Sequence, residues 1–212
     1  MSDQRSSIRG LEPGRKPALV ISECQRGILD ADHTGLPQLV EQAERRGILP
    51  RIAALAERFR SLELPVVHVH IAHHPGMAGC VVTSPLMAMS ARGGGMVEGT
   101  VAAEAMPEVE PQPGDLVSAR RSGLAMWYGT DLDVMLRAER VDTLVMTGVS
   151  TNLALFGGSL GAVDRGYQVV IPEDCTAGGT AQTHDFQITN ALPLLAAMTT
   201  SDAVVAALSP RR

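Results

Sequence analysis

Lysine is almost missing from this sequence. Lys16 stands alone beside seventeen arginines in 212 residues. Arginine keeps its charge in any protein environment, whereas a buried lysine titrates, so a proton-shuttling lysine beyond residue 16 is excluded. Cysteine is nearly as scarce. Cys24, Cys80 and Cys175 form an odd set without a CxxC pair, which argues against a disulfide framework and for a reducing, cytoplasmic setting. Surplus positive charge is lacking too. The formal net charge is −5, the wrong sign for a phosphate backbone, so no nucleic-acid partner is expected. No apolar run reaches the ~20 residues of a bilayer span, so no membrane partner is expected either. The first sixteen residues carry Arg5, Arg9 and Arg15 but no apolar h-region. They read as a flexible N-terminal arm, not a secretory signal. Repeats and low-complexity linkers are absent, and 17–212 reads as a single domain.

What is present is an alternation of two periods. Short apolar runs occur at 18–23, 65–71, 115–119, 141–146 and 167–172, each with the length and composition of a strand. Between them, 36–62 carries apolar residues at helical spacing, interrupted near Gly47 and Pro50. The stretches 131–139 and 151–165 read as further helices, 181–198 as the last long helix, and 203–208 as a sixth strand. The segment 74–114 contains Gly93, Gly94 and Gly95 with several prolines. A loop of that length is functional or mobile. Strands alternating with helices imply an α/β domain with a mostly parallel sheet covered on both faces. Ligands of such sheets bind beyond the C-terminal strand ends, where strand order reverses. Those ends are Glu23, residues 70–74, Arg120 with Arg121, and residues 149–154.

Residues 147–154 read Thr-Gly-Val-Ser-Thr-Asn-Leu-Ala. A strand runs into this turn and a helix leaves it, so first-turn N–H groups and the positive end of the helix dipole face whatever sits there. Further runs are ALVISECQRG at 18–27, PGDLV at 113–117 with YGTDL at 128–132, VDTL at 141–144, and RGY at 165–167. Taken in this order, these segments resemble the isochorismatase-like (cysteine hydrolase) superfamily, whose elbow reads TGVxTNxC. The resemblance covers nearly the whole chain from Pro17 onward. It implies a Rossmann-like three-layer sandwich with a six-stranded sheet of order 3-2-1-4-5-6. It also implies a pocket for a small-molecule substrate, assembly as a homodimer or homotetramer, and a cis peptide joining Val149 to Ser150. Metal-binding members use an Asp-x-His pair that this chain lacks, so neither metal nor cofactor is expected.

The family's catalytic Asp, Lys and Cys fall on Glu23, Arg121 and Ala154. Gln25, Thr130, Thr151, Asn152 and His184 match positions the family commonly keeps. Glu23 ends an apolar strand, where burial raises a carboxyl pKa and suits it to acid and base work. Arg121 fixes charge, either orienting Glu23 or clamping a substrate carboxylate. Ala154 removes thiolate chemistry but keeps its backbone amide, so the 150–154 turn can still form an anion hole. Ser150 and Thr151 offer hydroxyls without a visible activating base. Cys24 faces away from the site as a small buried hydrophobe. His73, at a strand end, is placed to contact substrate. Trp127 and Tyr128 are placed to stack on a planar one, and Met87, Met89, Met96 and Met126 to line an adaptable apolar wall.

Two kinds of function fit these residues. One is a hydrolase working without a cysteine nucleophile, in which Glu23 moves protons on a small cyclic or carboxylated metabolite. Vinyl ether hydrolysis and amide hydrolysis by a Glu23-activated water or a relocated thiol both belong here. The other is a catalytically silent homologue that binds a small molecule or a protein. Keeping the sign of charge at both Glu23 and Arg121 favours retuned chemistry over its loss.

Overall fold

In the computed structural model, which describes residues 8–208, the sheet is built outward from one strand. In β1 (Pro17–Ser22) every residue is buried. Its side chains alternate between two cores, as a pleated strand requires. Leu19 and Ile21 face one cluster, Ala18 and Val20 the other. A strand buried on both faces belongs in the middle of a parallel sheet. Accordingly β1 lies between β2 (Val66–Ile71) and β4 (Thr143–Val149), parallel to both. With β3 (Leu116–Arg120), β5 (Gln168–Pro172) and β7 (Ala197–Thr199) the order is β3-β2-β1-β4-β5-β7, and the two-residue β6 (Thr176–Ala177) pairs with the end of β4. The expected α/β, three-layer, parallel architecture is therefore the one observed. The strand order reverses between β1 and β4.

Helices cover both faces. On one side lie α1 (Arg26–Leu29), α2 (Pro37–Arg46) and α3 (Ile48–Ser61), with Ile48, Ile52 and Phe59 of α3 in the core. Gly47 stands between α2 and α3 in the left-handed conformation. Pro50 fits because it occupies the first turn of α3, where no intrahelical N–H is needed. On the other side Leu132 and Leu136 of α5 (Leu132–Ala138) and Ala162 of α6 (Phe156–Asp164) fill the core. The long loop contains α4 (Pro85–Arg92), with Ser84 capping its N-terminus.

Three expectations change. The last long helix is broken: α7 (Ala181–Phe186) passes into a wide turn at Gln187–Ala191 and a tight turn at Leu192–Leu194. Pro193 lacks the N–H that continuing the helix would use. The sixth strand of the main path is β7, and the 203–208 segment instead lies in helix α8 (Ser201–Leu208). There Val204 is buried, and Val205 and Leu208 pack beside it against the core at helical spacing. Of the expected arm, residues 1–7 lie outside the described residues. Residues 8–16 are seated: Leu11 is in the core and Lys16 N–H donates to Asp142. Among the described residues no helix is long and apolar enough to cross a membrane.

The ends of β1 and β4 meet so closely that only glycine fits at position 148. A Cβ there would stand 2.2 Å from the Ser22 carbonyl oxygen, and its φ is +96°. This contact brings the residue after β1 to the elbow after β4.

Candidate active site

Glu23 follows β1 with φ at +53°, a conformation that non-glycine residues seldom hold. Its N–H donates to Val69 O at 2.9 Å, and its own carbonyl accepts from Gln25 N–H at 2.9 Å. The chain thus turns sharply, and the carboxyl enters a cavity of about 610 Å³ at the C-terminal strand ends. Arg120, the last residue of β3, lines the same cavity and sets Nη1 2.9 Å from Glu23 Oε1. Both side chains are nearly buried, 12% exposed for Glu23 and 3% for Arg120. The ion pair is not an aligned hydrogen bond: Nη1 has no acceptor in good geometry, while Nε donates to Gly123 O at 3.0 Å. Burial pushes the Glu23 carboxyl above its ordinary range, and the Arg120 guanidinium pulls against that rise.

Arg121 is not the partner of Glu23. Neighbouring residues at a strand end point opposite ways, and its guanidinium donates to Ala72 O at 2.7 Å and to Glu98 Oε1 at 2.8 Å. Counting along the sequence placed the cation one residue late, and strand parity corrects it to Arg120.

The elbow faces the same cavity. Ser150, Asn152 and Ala154 line it, and the peptide between Val149 and Ser150 is cis. The N–H groups of Leu153 and Leu155 both donate to Ser150 O, at 3.3 and 3.0 Å, so neither is open to an anion. Asn152 Oδ1 accepts from Gly179 N–H at 3.0 Å, which ties the elbow to the 178–180 turn. Thr151 lies behind the wall. Fully buried, its hydroxyl is 3.3 Å from His184 Nδ1, and His184 Nε2 is 4.0 Å from Glu173 Oε2. A base beside Thr151 therefore exists, unseen in the sequence, but the pair is not part of the cavity wall. Burial, with Arg46 nearby, pushes His184 down to about 4 and keeps it neutral.

Other expected contacts divide. His73 lines the cavity, with Nδ1 2.9 Å from the Arg121 carbonyl oxygen. That acceptor assigns a proton to Nδ1. Gln25 is taken up by the backbone. Its Nε2 donates to Ile71 O and Ala103 O, both at 2.8 Å, and its Oε1 accepts from Ile71 N–H at 2.7 Å. It therefore staples β1 to β2 and does not line the cavity. Trp127 also lies elsewhere. Its indole donates to Gly158 O at 2.9 Å, stacks on Tyr167 and lies under Arg165. Tyr128 is 64% exposed and outside the lining. The aromatic platform expected for substrate is a structural stack. Met126 goes into the core, while Met87 and Met89 of α4 line the cavity together with Met96 and Met77. Met77 had no signal in the sequence beyond its residue type.

Away from the cavity, His68 Nε2 is 3.1 Å from Asp115 Oδ2, and burial pushes His70 down to about 4. Among the described residues no cluster of His, Cys, Asp and Glu has the form of a metal site.

A profile of the isochorismatase domain matches residues 17–203. The chain belongs to the isochorismatase family. An uncharacterised isochorismatase family protein of Bacillus subtilis, YwoC, is 29% identical over 171 residues, covering 81% of this chain and 82% of that protein. Maleamate amidohydrolase of Pseudomonas putida is 29% identical over 180 residues, 81% of this chain and 77% of the enzyme. The crystal structure of an isochorismatase family protein from Desulfovibrio vulgaris superposes with a TM-score of 0.78 at 25% identity, covering 92% of this chain and all of that one.

Proposed function

We propose that this isochorismatase-family chain is a hydrolase that forms no covalent intermediate, with Glu23 moving the proton and Arg120 setting its charge. The observation that carries this reading is the Glu23–Arg120 pair: two nearly buried opposite charges on the cavity wall, on which Ala154 stands where a thiol would attack. Silent homologues have no need to hold an arginine and a carboxylate out of water, because desolvating both costs several kcal/mol. Protonated, Glu23 delivers a proton to the alkene carbon of a vinyl ether on a small cyclic or carboxylated metabolite, and water captures the cation. Ionised, it takes a proton from water attacking an amide carbonyl. Arg120 pulls toward the ionised form against the burial that raises the carboxyl, and the likeness to maleamate amidohydrolase favours the amide reaction.

The test is a panel of carboxylated amides and vinyl ethers assayed with the wild type and Glu23→Gln. The reading expects a loss of about 10² to 10⁴ in turnover for any substrate found, with the variant still folded by circular dichroism. Equal turnover would remove Glu23 from the chemistry, and ligand binding without turnover would favour a silent homologue. Assembly as a homodimer or homotetramer belongs to the same proposal. Leu153, on the cavity wall, is 49% exposed, and light scattering reads the stoichiometry.

A further inference from the structure

The cavity is much larger than its polar equipment. At about 30 Å³ per water molecule, 610 Å³ holds on the order of twenty waters. A ligand that fills it has a comparable number of non-hydrogen atoms, within the range of well-buried small molecules. A four-carbon amide leaves most of that space to water held against hydrocarbon. The charged pair lies at the strand ends, Glu23 and Arg120 beside His73, with Ser150 and Asn152 on the elbow. His33, Gln38, Ser90, Thr180 and Thr183 border the cavity as scattered polar groups. Helices and loops also supply most of the apolar lining, above all Met77, Met87, Met89 and Met96.

That methionine wall is packed against backbone. At Gly95 a Cβ would stand 2.9 Å from Met77 Sδ, and φ there is +62°. Met87 and Met96 are only 6% and 8% exposed, although both border the cavity. The wall is also tethered to the polar end. His73 N–H donates to Met96 O at 2.7 Å, and Glu98 N–H donates to His73 O at 2.8 Å. Thioether side chains on such a surface adapt to irregular apolar shapes and give weak hydrogen bonds at best.

We infer that the substrate is amphiphilic: one polar head, a carbonyl or carboxamide, meets Glu23 and Arg120, and a bulky aliphatic or aryl body lies along the methionine wall. This rests on the proposed function only for the identity of the head group. The experiment is calorimetric titration of the full chain with linear carboxamides from butanamide to octanamide. Affinity rises about fourfold for each added methylene, the equivalent of roughly 0.8 kcal/mol per buried CH₂, and about 200-fold across the series. Met89→Glu puts a charge on the wall at a side chain already 39% exposed, so the fold tolerates it, and the slope flattens. A flat wild-type series, with short substrates still turned over in a Glu23-dependent way, overturns the amphiphilic substrate and leaves the proposed function standing. A steep series in a chain whose turnover ignores Glu23→Gln supports the substrate class and removes the acid–base reading.

Discussion

Two arginine–carboxylate pairs sit at opposite ends of this sheet and are built in opposite ways. Before β3, Asp115 receives Arg60 Nε at 3.1 Å and Nη2 at 2.6 Å, Gln112 N–H at 2.9 Å, and lies 3.1 Å from His68 Nε2. Burial alone would raise its pKa. Arg60, the Gln112 amide and His68 together hold the carboxyl below its ordinary value. After β1, Glu23 receives one arginine contact without hydrogen-bond alignment, and burial prevails. An acid that meets four protein nitrogens away from the cavity has little left for a substrate. An acid that meets one arginine and faces a cavity keeps lone pairs for one. The number of aligned donors separates the structural carboxylate from the candidate catalytic one, since both have little exposure, 3% for Asp115 and 12% for Glu23.

The largest expected effect is the Glu23→Gln loss of turnover described above. Asp115→Asn sharpens the contrast: it should cost about 3 kcal/mol in urea unfolding, as removing one member of a buried pair does, and leave kcat within about twofold. The pH dependences have opposite signs. The depressed Asp115 contributes stability above its unfolded value of about 3.9, and that contribution is lost as pH falls through the lower folded value. Unfolding of Asp115→Asn should therefore depend less on pH in the acid range. The raised Glu23 works against folding above its unfolded value, so Glu23→Gln, which keeps Asp115, should retain that acid loss and show a steeper rise of stability with pH.

Smaller effects follow. Trp127→Ala removes the ring between Arg165 and Tyr167 and should lower stability by about 2 kcal/mol, less than a fully buried tryptophan. Affinity for a bound carboxamide should stay the same, whereas a substrate-stacking indole would lose it. The smallest effect is at Arg121→Ala. Its ion pair with Glu98 is partly exposed, 35% and 54% for the two side chains, and such a pair contributes under about 1 kcal/mol. Turnover should survive in this variant and fall in Arg120→Ala. The reverse result would return the cation to position 121 and break the comparison between the two pairs.

Much of the fold was legible because a strand buried on both faces is mostly apolar, as β1 and β4 are. The end of the chain was not. Residues 197–199 are only partly buried in three short strand positions, and 201–208 is a short helix with one fully buried residue, so each segment is too short for its period to separate strand from helix. At the site, Glu23 and Ala154 were legible from the resemblance of their motifs, and both line the cavity. The choice between Arg120 and Arg121 depended on a one-residue parity. The roles of Gln25, Thr151 and Trp127 depended on which neighbour lay within 3.3 Å.

By itself the sequence determined composition-level chemistry: no thiol at the elbow, no lysine beyond residue 16, and an acid closing the first strand. Those are properties of residue identity, and no folding can alter them. Only the tertiary structure decided which arginine meets that acid, which polar side chains are already engaged by backbone, and how large a space remains. Direction, distance and volume arise when strands far apart in the chain are brought side by side, and a linear string carries none of the three.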